Sequence, residues 1–121
     1  MLSFPPSVRI FVARGATDLR KSYDTLAAVV TDVLDEDPLS GHVFCFLNRK
    51  RDRVKLLVWD RTGFWLFCKR LEAGTFAEMR GGGEEKSVSV TSRELLLLLE
   101  GIELRHVRQR KRYAREKSAI S

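Results

Sequence analysis

The sequence is poor in the residues that build covalent frameworks and metal centres. It has two cysteines, two histidines and three prolines in 121 residues. Cys45 and Cys68 are too few for a disulfide scaffold, and both sit inside apolar runs. They read as buried free thiols of a reducing compartment, with a disulfide between them as the lesser alternative. His42 and His106 stand alone, without zinc-type spacing, so neither a metal nor a cofactor is indicated. No stretch approaches the roughly 18 apolar residues that a membrane span needs. The first residues lack the charged-then-apolar order of a secretory signal, so a cytoplasmic protein without a membrane partner is expected. No internal repeat is present, and the length suits one domain with one modest core.

Catalytic patterns are equally scarce. Gly81-Gly82-Gly83 is followed by Glu84 and Glu85, which is not the order of a phosphate-binding loop. Metal-dependent cleavage needs several converging carboxylates. Asp18, Asp24 and Asp60 are available, but each suits a local role, the first two at a helix start and the third in a turn. No nucleophile–base pair is visible, and the expectation is a protein without enzymatic activity.

Positive charge is what the chain has in excess. Its 22 Lys and Arg against 16 Asp and Glu give a net charge of +6. Residues 105–117 hold seven cations (Arg105, Arg108, Arg110, Lys111, Arg112, Arg115 and Lys117) and one acid, Glu116; without them fifteen of each sign remain. The whole excess therefore lies in the tail. That asymmetry points to a polyanion, most plausibly nucleic acid, with a solubilising tail as the alternative. The expected organisation is a globular domain over 1–104 and a flexible basic tail over 105–121.

The densest apolar segment spans residues 54–76. Val54–Trp59 and Phe64–Cys68 are rich in aliphatic and aromatic residues and flank Asp60-Arg61-Thr62-Gly63. This pattern predicts a β-hairpin, with Asp60 capping the turn and Gly63 free to take positive φ. Upstream, Ser7–Ala13 reads as a strand. Thr17 reads as the cap of a helix whose face carries Leu19, Tyr23, Leu26, Ala27, Val30, Val33 and Leu34, ending before Pro38. Val43–Leu47 has no polar alternation, which suggests a strand buried on both faces. Residues 77–86 read as a mobile loop and Ser87–Val90 as a short strand. Thr91-Ser92-Arg93-Glu94 is a capping box that opens a helix through Leu95–Leu99, stopped at Gly101. The predicted class is α+β: a small, three-stranded antiparallel meander packed under an N-terminal helix, with a leucine-rich C-terminal helix.

Two further groups are candidates for contact. Arg49, Lys50, Arg51, Arg53 and Lys55 crowd the turn before the hairpin, opposed by Asp52 alone, and a meander brings Lys69 and Arg70 to the same end of the sheet. This is either a solvated turn or an edge for DNA backbone phosphates. Leu95, Leu96, Leu97, Leu98 and Leu99 place leucine around all sides of one helix, which is either buried centrally or meets another chain.

Four ordered segments carry a family resemblance. They are Thr17-Asp18-Leu19-Arg20-Lys21-Ser22-Tyr23-Asp24, Asp37-Pro38-Leu39-Ser40-Gly41-His42-Val43-Phe44, the hairpin Val54–Phe64 with Lys69-Arg70-Leu71-Glu72 and Gly74-Thr75-Phe76, and Leu98-Leu99-Glu100-Gly101-Ile102. Over about residues 4–104 the chain resembles the TnpB-type accessory proteins of the IS66 family of bacterial insertion sequences. After Ile102 it departs from them, in a longer basic tail. The resemblance implies an accessory role in DNA transposition beside a separate, catalytic transposase. The expected partners are DNA, through its phosphates, that transposase, and possible homodimer contacts through the leucine helix. A pure protein-interaction subunit is the alternative, and a metal-dependent nuclease a more distant one.

Overall fold

The computed structural model describes residues 4–77, 84–103 and 108–109. Its elements are β1 (Ile10–Ala13), α1 (Tyr23–Asp32), β2 (Val43–Leu47), β3 (Arg53–Trp59), β4 (Phe64–Arg70), β5 (Ser87–Val90), α2 (Ser92–Leu99), β6 (Ile102–Glu103) and β7 (Arg108–Gln109). The class is α+β. The predicted meander is present as β2–β3–β4, but it is part of a larger mixed sheet ordered β4-β3-β2-β1-β5. β1 runs parallel to β2, with Ile10 opposite Val43, and β5 adds antiparallel to the far side of β1. A parallel pair requires a crossover, and α1 supplies it. β6 and β7 form a separate two-stranded ladder, so residues 108–109 of the basic segment pair with residues just after α2.

Strand alternation sorts the core into two clusters. On one face Phe11, Phe44, Phe46 and Leu57 pack with Leu26, Val30 and Leu34 from α1 and its end. On the other Ile10, Val12, Cys45, Leu47, Val54 and Leu56 pack with Phe76 and with Leu95 and Leu98 of α2. β2 lies between the two, and all five of its residues are buried, as its unbroken apolar run predicts. Burial on both sides pushes the Cys45 thiol up to about 12, so it is an inert core residue.

Several local expectations change. The first helix starts at Tyr23 with Ser22 as its cap, not at Thr17. Thr17 instead donates its N–H to the Leu47 carbonyl (2.8 Å), tying the preceding loop to the end of β2. Of the predicted helical face Leu26, Val30 and Leu34 are buried, but Tyr23 and Val33 are exposed. Cys68 is exposed, not buried, because β4 is an edge strand. In the hairpin turn the positive φ falls on Arg61 (85°) and not on Gly63.

Other features follow the expected chemistry. The Thr91 hydroxyl accepts from the Glu94 N–H (3.0 Å) while the Glu94 carboxylate accepts from the Thr91 N–H (2.9 Å). Gly101 ends α2 at φ 76°, a conformation that favours glycine. Asp60 caps its turn, accepting from the Thr62 N–H, the Thr62 hydroxyl and the Gly63 N–H, while its second oxygen accepts the Trp65 indole N–H at 2.7 Å. The Thr62 N–H first, then the indole and the Thr62 hydroxyl, hold the Asp60 carboxyl below its usual range. The ordinary carboxylate value is about 4. The turn's stabilisation is therefore complete above about pH 4 and is lost as pH falls through the lower folded-state value. Tryptophan emission should change in that acid range and Asp60→Asn should remove the step; an unaltered acid titration in the variant would contradict this role.

Candidate nucleic-acid interface

The basic turn is a built structure. Asn48 follows the last core residue of β2 and its side chain closes the loop. Its Nδ2 donates to Asp52 Oδ1 (2.7 Å), and its Oδ1 accepts from the N–H groups of Asp52 (3.1 Å) and Arg53 (3.0 Å). The Asn48 bond is the main reason the Asp52 carboxyl lies below its usual range. Arg51 adopts φ 56°, an uncommon value for a residue with a side chain. Two neighbours hold the loop from behind: the Asp52 carbonyl accepts from Leu71 (2.8 Å) and the Arg51 carbonyl from Phe76 (2.7 Å). Arg49 and Lys50 are exposed at its tip.

A second wall comes from the segment between β1 and α1. Asp18 binds the Arg20 guanidinium in a two-pronged pair (3.0 Å from Nε, 2.8 Å from Nη2) and also accepts the Arg20 N–H. The Arg20 bond holds the Asp18 carboxyl well below the carboxylate range, and the same pair raises the arginine. Asp18 therefore shapes this loop instead of opening the helix. Lys55 reaches across from β3 to donate to the Lys21 carbonyl at 2.9 Å.

Between the walls lies a cleft of about 620 Å³ lined by Thr17, Asp18, Arg20, Asn48, Arg49, Lys50, Asp52 and Arg53. A second hollow shares Ala16, Asn48 and Arg49 and adds Arg14 and Arg51. A third shares Leu19 and Arg53 and adds Lys55, Lys69, Arg70 and Glu72. Eight cations besides Lys69, whose ammonium turns to the other face of the sheet, thus line the three adjoining hollows against three acids, Asp18, Asp52 and Glu72. All three acids are engaged; Glu72 accepts from Arg70 Nε at 3.2 Å. At the sheet end Arg53 stands directly opposite Arg70. Like charges facing across strands are unfavourable, and a bound anion would relieve them.

The structure therefore brings Arg49, Lys50, Arg51, Arg53 and Arg70 to one side. Lys55 reaches the same hollow, but its ammonium is committed to the Lys21 carbonyl. Lys69 sits on the opposite face from Arg70, donating to the Leu99 carbonyl (2.8 Å) and lying 3.8 Å from Glu100. Sequence reasoning missed Arg14 and Arg20, which arrive through the β1–α1 connection. The signal was Asp18-Leu19-Arg20 ahead of a second possible cap at Ser22, which marks 17–21 as a loop. Arg105, Arg110, Lys111, Arg112, Arg115 and Lys117 lie outside the described residues, and Arg108 is placed only as backbone of β7. In the leucine helix Leu95 and Leu98 are buried, while Leu96, Leu97 and Leu99 are half-buried. Among the described residues no group of three or more His, Cys, Asp or Glu side chains is arranged to hold a metal ion, and no helix is long and apolar enough to cross a membrane.

The family model described as "IS66 Orf2 like protein" matches residues 8–109. The chain belongs to the IS66 Orf2-like family. Two curated relatives come from Sinorhizobium fredii (strain NBRC 101917 / NGR234). Uncharacterized protein y4hO is 36% identical over 106 residues, covering 88% of this chain and 90% of the relative. Uncharacterized protein y4jC is 30% identical over 103 residues, covering 85% and 86%. No solved structure matches. The family match spans the cleft, both core clusters and the β6–β7 ladder.

Proposed function

We propose that this IS66 Orf2-like protein is a non-catalytic accessory factor of an insertion sequence. It assists transposition by holding DNA through its phosphates, beside the transposase of the same element. One observation carries the DNA part: the loop before α1 and the turn after β2 converge into one cleft lined by Arg20, Arg49, Lys50 and Arg53, and two adjoining hollows add Arg14, Arg51, Lys55 and Arg70. Arg and Lys on such a surface neutralise phosphates and release counterions without reading bases. The seven cations of residues 105–117 would add to the same electrostatic term. Neither rim of the cleft is a helix of the kind that enters a major groove, so weak sequence preference follows. The transposition part rests on family membership.

The test is binding of the intact chain to an element-end duplex and to a random duplex over a salt series. Comparable, strongly salt-dependent binding to both is expected. No binding to either would support a pure interaction subunit that meets the transposase. Salt-insensitive or single-duplex binding would mean base readout. Cleavage of the duplex in Mg²⁺ or Mn²⁺ by pure protein would reject the non-catalytic reading.

A further inference from the structure

We infer that the outer edge of β4 is a self-pairing surface, which joins two copies of this chain through an antiparallel β4–β4 ladder. This goes beyond the DNA reading and does not depend on it.

The backbone of β4 is the starting point. In an antiparallel ladder, hydrogen-bonded and non-hydrogen-bonded pairs alternate. The Asp60 N–H to Gly63 carbonyl bond (3.0 Å) and the Leu71 N–H to Asp52 carbonyl bond (2.8 Å) set the phase at the two ends of the β3–β4 pair. Trp65, Phe67 and Lys69 therefore bond to β3, through Val58, Leu56 and Val54. Phe64, Leu66, Cys68 and Arg70 aim their N–H and C=O groups away from the sheet. Among the described residues nothing pairs with that side.

Edge strands are normally blunted by proline, bulges or charges. The first four residues of β4 are Phe64-Trp65-Leu66-Phe67, and their register with β3 is unbroken. Trp65 is 55% exposed, the most of any large apolar side chain among the described residues. Its indole N–H is already satisfied by Asp60 and its ring stacks on Phe67, with an interplanar angle of 11°. The ring is held in place before any partner arrives and brings no polar group that needs a new one, so little ordering cost remains.

The sequence of β4 fits a second copy. It is apolar in its first half and ends in Lys69 and Arg70. A two-fold axis at Phe67 sets Phe64 opposite the second copy's Arg70, Trp65 opposite its Lys69, and Leu66 opposite its Cys68. All four outward backbone positions gain partners, and the cationic end of each strand lies opposite the aromatic end of the other instead of another cationic end. Moving one strand by a single residue would align outward groups with groups already bonded to β3. Parallel pairing would set Lys69 against Lys69. The surface is self-complementary in the way a two-fold interface requires.

The test is sedimentation equilibrium of the full chain across a concentration series, expected to show twice the 13.9 kDa chain mass. Trp65→Lys places lysine opposite Lys69 at two symmetric positions and should weaken dimerisation roughly 100-fold. Cys68→Pro removes one outward N–H and should act in the same direction, because proline is tolerated where a strand's N–H faces solvent. Circular dichroism checks that each variant folds. A third variant covers the case in which neither does: Trp65→Cys with Lys69→Cys, in a Cys68→Ser background. These positions are four residues apart in a strand, roughly 13 Å, too far to bridge within one chain. Mild oxidation should therefore give a covalent dimer. A single-chain mass at every concentration would overturn the proposal. So would a dimer of unchanged affinity in the folded variants, or a dimer that fails to cross-link.

Discussion

Replacing Arg49, Lys50, Arg51 and Arg53 with alanine should weaken DNA binding more than any other change to the globular part. Arg49, Lys50 and Arg53 line the cleft and Arg51 the adjoining hollow, all on one short, pinned turn. Each phosphate neutralised on a duplex contributes about −0.9 to the slope of log affinity against log salt. Not every cation meets a phosphate, so a loss of roughly 1–3 units of slope is expected, equivalent to a roughly 10- to 100-fold weaker complex near physiological salt. Sequence preference should change little, because phosphate contacts position without specifying. The fold should persist: the turn is closed by Asn48 and the backbone, and the substituted side chains are exposed or half-buried. Equilibrium binding of intact and substituted protein at several salt concentrations measures the difference. An unchanged slope with intact circular dichroism would remove the turn from the interface.

The largest loss of stability is expected at Phe76. This residue belongs to no helix or strand, yet it is fully buried in the cluster under α2. Truncating a buried phenylalanine to alanine costs about 3–5 kcal/mol. For a small domain that is a large fraction of its total stability. The same residue donates its N–H to the Arg51 carbonyl, so it also supports the basic turn from behind. Phe76→Ala should lower the denaturation midpoint sharply, and where protein remains folded it should also weaken DNA binding. Phe76→Leu, which keeps most of the volume, should recover much of both. Urea unfolding monitored by tryptophan emission provides the check; a loss below about 1 kcal/mol would show that the site repacks.

Local patterns carried much of this architecture. The unbroken apolar run of β2, the two runs of the hairpin, the Asp60 turn and the Thr91–Glu94 box each encode their structure within a few residues. β1 could be read as a strand, but its parallel pairing to β2 left no such mark, because that contact spans a helix and depends on crossover geometry. The exposure of Cys68 follows from strand order, which the pattern of β4 does not contain. Thr17 has the chemistry of a helix cap, but Asp18 pairs with Arg20 and Thr17 bonds to β2, so the true cap is Ser22. The candidate site divides the same way. Its turn cations are neighbours in sequence and could be read directly. Arg14 and Arg20 join them only through the crossover, and Lys69 leaves them because strand alternation turns it toward α2.

The central claim is that one cleft, between the loop before α1 and the turn after β2, is where DNA is held. Amide chemical-shift mapping of the labelled full chain during titration with a short duplex tests it most directly. Shifts should concentrate on residues 14–21, on 48–53 and on the Arg70 end of β4, and should fade as salt rises. Shifts concentrated on α2 or β5, with the cleft amides unmoved, would contradict it.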